Sequence, residues 1–150
     1  MLRYLPPPVI MVITAALMWL TSRTPTLSFT GLPGQTAMAI GVFLIGMLLI
    51  IVAALQFYRS GTTISPIKPE SSEYLITSGI YRLSRNPIYL GDLLMLLAWA
   101  IYLGAAVNLA WLALFLWYTT QFQIMREERA LVEIFGQAYR DYCARVRRWL

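Results

Sequence analysis

Apolar residues along this chain fall into four long runs, Pro8 to Leu20, Thr36 to Phe57, Ile88 to Leu103 and Ala105 to Phe122. Runs this long, without strict alternation, predict helices and not strands. The second and fourth reach the roughly 17–25 residues that carry a helix across the hydrocarbon core of a bilayer, and flanking residues extend the first and third. The expected fold is therefore all-α, a multi-pass membrane helical bundle of about four transmembrane helices, at about 6–21, 35–57, 87–103 and 105–123.

The polar positions set the connections. Only the turn around Gly104 to Asn108 separates the third and fourth runs, which predicts a tight antiparallel hairpin. The loop at 58–86 passes through Gly61-Thr62-Thr63 and Ser65-Pro66-Ile67-Lys68-Pro69, too broken by proline for a long helix. Long ordered loops are usually functional. In the tail, 124–150, Leu131, Ile134, Phe135, Ala138, Tyr139 and Tyr142 recur at helical spacing while Arg129, Glu133, Arg140 and Asp141 lie off that stripe. One amphipathic tail helix is expected, or two short ones, with Gly136 breaking or bending the pattern. Ala37 and Gly41 form a small-xxx-small pair that predicts helix packing within the subunit. Arg3 before the first run raises a signal sequence, but Trp19-Leu20-Thr21 is a poor cleavage site, so a retained span is expected.

Composition agrees. Of the 150 residues 59% are hydrophobic before the glycines are counted, against roughly 45–50% with glycine for a soluble domain. Charged residues make up 13%, too few to cover a soluble domain of this length, and the chain reads as a single membrane domain. The net charge of +5 then speaks to orientation and not to nucleic acid. With four spans, eleven of the twelve basic residues share one side, Arg23 being the exception, so the N- and C-termini, the 58–86 loop and the tail are expected in the cytoplasm, in a plasma or inner membrane. The chain has no histidine, which removes imidazole as base, shuttle or metal ligand. Its one cysteine, Cys143, excludes an internal disulfide and thiolate-cluster metal sites, and no metal is expected. Cys143 stands among basic residues, a setting open to palmitoylation; the plainer reading is a small apolar residue on a helix face.

Polar chemistry gathers in two places. In Arg85-Asn86-Pro87, asparagine is a good helix cap and proline suits the first helical position, so the third span is expected to start with free amides that suit a carboxylate or phosphate. Arg85 adds a bidentate clamp, unless it is only an interfacial arginine. Asp92, one turn further in, is either functional or faces interfacial water. The second place is Arg126-Glu127-Glu128-Arg129, where the fourth span ends. Adjacent carboxylates point about 100° apart on a helix, so one can face a pocket and the other pair outward. The alternative is a solvated turn with local ion pairs.

Together these segments resemble the integral-membrane methyltransferases of the isoprenylcysteine carboxyl methyltransferase and phospholipid methyltransferase group. The residues that carry the resemblance are Gly79, Tyr81, Arg82, Arg85, Pro87, Tyr89 and Gly91, then Glu127 and Glu128 after the hairpin, then Phe135-Gly136, Tyr139, Tyr142 and Arg145-Val146. The resemblance implies a cytoplasmic S-adenosylmethionine pocket, closed by the tail and open sideways to lipid for a lipophilic acceptor. It implies cofactor contacts from Gly79, Tyr81, Arg85, Asn86, Pro87, Tyr89, Gly91, Glu127, Glu128, Tyr139 and Tyr142. Glu127 and Glu128 are also the candidate catalytic residues, with Asp92, Gln123 and Arg126 on the acceptor side. Three positions depart from the group. Asn86 stands where the better-known eukaryotic members have histidine, Gln123 where their carboxyl methyltransferases have arginine, and Arg147 where the proline of an R-V-P-R motif is expected.

Methyl transfer from a sulfonium is an in-line displacement that needs alignment and water exclusion more than acid catalysis, so the lack of histidine is no obstacle. The acceptor group, carboxyl, thiol, amine or phenol, stays open, and so does the oligomeric state. Two other readings stand beside this one: a nicotinamide-dependent enzyme like the sterol reductases, which resemble the group in the same C-terminal helices, and a non-enzymatic small membrane protein.

Overall fold

The computed structural model describes residues 6–24, 28–59 and 75–150. Arg3, Lys68 and the loop segments at 61–63 and 65–69 lie outside these described residues. The fold is all-α: helices α1 (Pro7–Thr21), α2 (Gln35–Arg59), α3 (Pro87–Leu103), α4 (Asn108–Tyr118), α5 (Met125–Phe135) and α6 (Gln137–Arg145). A short 3-10 turn at Gly79–Arg82 precedes α3. Among the described residues the one β contact is an isolated antiparallel bridge between Ser28 and Ala105.

Each of the four apolar runs is helical, with ends that the sequence explains. Prolines open α1 and α3, where a missing amide donor costs nothing. Gly104, with φ 63°, caps α3 and turns the chain into α4. Among the described residues, α2, at 25 residues, is the one helix long and apolar enough to cross a bilayer by itself; α1 and α3 are shorter apolar helices. The fourth run is less regular than its pattern suggests: α4 passes into a π-helical segment, Thr119–Ile124, before α5. The wider turn buries Thr119, Gln123 and Ile124 just ahead of the acidic pair. Such π segments are frequent at functional sites.

Packing differs along α2 from what the Ala37/Gly41 pair suggests. Gly41 is exposed and has open space around it. The close approach lies further along, where a Cβ on Gly46 would sit 2.8 Å from the Gly91 carbonyl and one on Gly91 would sit 2.7 Å from the Gly46 carbonyl. Two glycines therefore let the α2 and α3 backbones touch. The other face of α2, including Met38, Ile40, Leu44, Ile45, Leu48 and Ile51, is exposed and apolar.

Two cores occupy opposite ends of the bundle. One joins Ile10 and Met18 of α1, Leu96 and Ala100 of α3 and Phe115 of α4. Its polar groups pair with one another: the Asn108 amide donates to Ser22 Oγ at 3.1 Å, the Trp111 indole to Thr21 Oγ1 at 3.0 Å and the Gln35 amide to the Ile101 carbonyl at 2.6 Å. The second core joins Ala53, Tyr81, Tyr139, Tyr142 and Val146, closing the end of α2 and the 3-10 turn under the tail. The tail is two short helices, broken at Gly136 (φ 53°, ψ −121°), a conformation that favours glycine. Of the expected stripe, Tyr139 and Tyr142 are buried while Ile134 and Ala138 are exposed.

Candidate functional site

The site begins where the chain enters α3. Pro87 takes the first helical position, and Asn86 stands at the cap, but its side chain does not cap the helix. Instead Asn86 Nδ2 donates to the Arg148 carbonyl at 2.9 Å, while Ser84 Oγ donates to the same carbonyl at 3.3 Å and accepts from the Asn86 amide at 3.1 Å. The Arg85 amide donates to the Arg147 carbonyl at 3.0 Å. The expected asparagine cap is thus replaced by a tail-to-turn clasp. The C-terminal carbonyls compete for the Asn86 amide, and no side chain caps the first turn of α3.

This clasp aims two guanidinium groups at one carboxylate. Arg85 Nη1 lies 3.1 Å from Glu128 Oε1 and also donates to Cys143 Sγ. Arg148 forks onto the same carboxylate, Nε to Oε1 at 3.0 Å and Nη2 to Oε2 at 2.7 Å. The side chains of Arg85 and Glu128 are only 13% and 15% exposed, so their pairing is shielded from bulk water.

One residue earlier, Glu127 turns the other way and accepts a hydrogen bond from the Tyr89 hydroxyl of α3 at 2.6 Å. Burial pushes the Glu127 carboxyl from its ordinary 4.5 up to about 7, although the Tyr89 hydrogen bond and Arg126 pull it down. The roughly 100° step between neighbours on a helix therefore divides the pair, Glu128 into a charged cluster and Glu127 into a less solvated niche.

An open cleft of about 390 Å³ lies beside Glu128, between α5 and α6. Met125, Arg129, Val132 and Glu133 line it from α5, and Tyr139 and Cys143 from α6. The tyrosines at and behind it are buried and neutral at pH 7. Desolvation raises the phenols of Tyr81 and Tyr139, and that of Tyr142 to about 12. Tyr142 donates its hydroxyl to the Tyr81 carbonyl at 2.6 Å. The Tyr81 hydroxyl and Arg85 Nε are buried without a hydrogen-bond partner.

Of the residues singled out from the sequence, Arg85, Asn86, Pro87, Tyr89, Glu127, Glu128 and Tyr139 converge here, with Tyr81 and Tyr142 directly behind. Gly79 lies against Gln56, whose side chain fills the space a Cβ would need, and Gly91 lies against α2. Both glycines allow close packing. Asp92 is buried in α3, three residues past Tyr89 and so on the same helix face. Gln123 is buried in the π segment, and Arg126 is exposed on α5. The motif reading passed over Ser84, Arg148, Glu133 and the thiol of Cys143. Only Arg148 carried a signal, as the closing arginine of Arg145-Val146-Arg147-Arg148.

Comparison with known proteins bears on this arrangement. Residues 35–138 match the family model described as phospholipid methyltransferase, which takes in α2, α3, the hairpin and the acidic pair. A protein-S-isoprenylcysteine O-methyltransferase of Schizosaccharomyces pombe is 32% identical over 108 residues, covering 72% of this chain and 46% of that one. Protein-S-isoprenylcysteine O-methyltransferase B of Arabidopsis thaliana is 29% identical over 105 residues, covering 70% and 53%. A Delta(14)-sterol reductase of Mus musculus is 34% identical over 83 residues, covering 53% of this chain and 19% of the reductase. The chain spans about half the length of the two methyltransferases. With most of its helices inside the matched region, and isoprenylcysteine O-methyltransferases among its relatives, the chain belongs to the phospholipid methyltransferase family.

Proposed function

We propose that this protein is an S-adenosylmethionine-dependent methyltransferase acting on a lipophilic acceptor at the cytoplasmic face of a membrane. The observation that carries the reading is the meeting of Arg85 and Glu128 beside the α5–α6 cleft. A guanidinium and a carboxylate side by side complement the two ends of an amino acid, as the methyl donor requires. The donor set fits in a second respect: Arg85 Nε and the Tyr81 hydroxyl are buried without partners. Glu128 would hold the ammonium. Arg85 and the uncapped amides of α3 would hold the carboxylate.

When bound, the cofactor supplies a methyl group already activated on a sulfonium. The protein's own task is then to align donor and acceptor and to keep water out. Glu127, held by Tyr89, orients the acceptor and takes its proton where the acceptor is an amine, thiol or phenol; a carboxylate acceptor needs no base. Asp92, Gln123 and Arg126 stand on the acceptor side of this arrangement. In this reading α1, α2, α3 and α4 with its π segment are four spans, the exposed apolar face of α2 meets lipid, and eleven of the twelve basic residues lie on the cytoplasmic side with both termini.

The test is titration of the purified protein with S-adenosylmethionine and with reduced nicotinamide nucleotide, followed by incubation of lipid extracts with methyl-labelled donor. Donor binding and a labelled lipophilic product are expected. The match to the mouse reductase favours a second reading, and binding of the nicotinamide nucleotide alone would replace the first with it.

A further inference from the structure

Glu128 faces two guanidinium groups, more positive charge than one carboxylate neutralises, and the two arginines are not equivalent. Arg85 is 13% exposed and touches Oε1 through Nη1, at 3.1 Å. Arg148 is 35% exposed and spans both oxygens, with its shorter contact, 2.7 Å, on Oε2. Arg148 is also held twice over. Its carbonyl is fastened by Asn86 Nδ2 and Ser84 Oγ, independently of its side chain. The guanidinium can therefore swing out to solvent while the backbone clasp stays shut. Arg85 has no such freedom, being buried between Glu128 and Cys143.

We infer that the Arg148 guanidinium is an internal stand-in for a ligand cation on Glu128, displaced when an ammonium-bearing ligand enters the cleft. The inference rests on the methyl-donor reading and deepens it. Displacement frees Oε2, the oxygen that Arg85 does not touch, so the ligand's ammonium takes one oxygen while Arg85 keeps the other in place. The arrangement also sets specificity. A ligand without a cation gains nothing by removing Arg148, so the site selects for the amino group and not only for the adenosine part. It satisfies Glu128 in the meantime, since a shielded carboxylate facing only one guanidinium edge would hold its second oxygen open.

Calorimetry on the full chain in lipid nanodiscs tests this with two probes, S-adenosylhomocysteine and its analogue lacking the α-amino group. Removing the competitor in R148Q is expected to raise affinity for S-adenosylhomocysteine about fivefold, the value of a partly exposed ion pair, and to leave the deaminated analogue within about twofold of wild type. R148K keeps the charge but loses the fork and is expected to give a smaller gain; it carries the same comparison should R148Q not fold. Unchanged or weaker S-adenosylhomocysteine binding in the folded variants would overturn the inference and make Arg148 a positioning residue. Equal gains for both probes would overturn it too. Absence of S-adenosylhomocysteine binding by the wild-type chain would instead remove the methyl-donor reading itself.

Discussion

The two ends of the bundle solve the same problem in opposite ways. At the hairpin end, Asn108, Ser22, Trp111, Thr21 and Gln35 bury neutral polar groups and pair them with one another or with a carbonyl. At the tail end, Arg85, Arg148, Glu127 and Glu128 bring charges together beside an open cleft, with two polar atoms left unpartnered behind them. Neutral, mutually satisfied pairs join helices at little risk, because neither partner gains by leaving. A charged cluster with spare hydrogen-bonding capacity is a poorer way to hold helices and a better way to hold a ligand. Under the function proposed above, stability falls to one end and binding to the other.

The sharpest way to break that assignment is Glu128→Ala. It leaves Arg85 and Arg148 facing each other and is expected to weaken methyl-donor binding by about a hundredfold in calorimetry, with helix content retained. Asn108→Leu should do the reverse. With Asn108 fully buried, the change leaves Ser22 Oγ without its donor and should lower unfolding stability by about 1–3 kcal/mol in a denaturant titration, with the donor Kd within about twofold of wild type. If Asn108→Leu weakened donor binding as much as Glu128→Ala, the division would be wrong.

A smaller effect, in pH, sharpens the tail end. A carboxyl raised from 4.5 to about 7 favours folding while protonated, so its contribution is complete below pH 4.5 and is lost as pH rises through 7. Activity should move the other way, since only the ionised Glu127 can orient a cation or take a proton. Glu127→Gln is therefore expected to abolish the rising limb near pH 7 in a rate profile and to flatten the fall in stability across the same window. A Glu127→Gln variant with the wild-type profile would sink the role given to this residue. The smallest change is Trp111→Phe, which removes the bond to Thr21 Oγ1 and should cost about 0.5–1.5 kcal/mol, read as a shift in thermal midpoint with no change in donor affinity.

Much of this was legible along the chain. The four apolar runs become helices because burial of a continuous apolar surface depends on short-range pattern, and Gly104 and Gly136 end helices because backbone conformation is a local property. The division of Glu127 from Glu128 also follows from the 100° step of a helix, although which of them faces the cleft does not. The π segment was hidden, since Thr119-Thr120-Gln121-Phe122-Gln123-Ile124 carries no pattern that distinguishes it from regular helix. Asn86 shows the limit most clearly. Locally it is a good cap, yet its amide goes to a carbonyl 62 residues away.

Helices, hairpin and broken tail needed only the order of residues, because each depends on neighbours within a turn or two. The partners of the charged groups needed the fold. Glu128 chooses Arg85 and Arg148, Glu127 chooses Tyr89, and Gly91 sits against Gly46, across separations of 20 to 45 residues. Contacts of that kind depend on how helices come to lie against one another, and many pairings are compatible with the same local pattern until packing selects one.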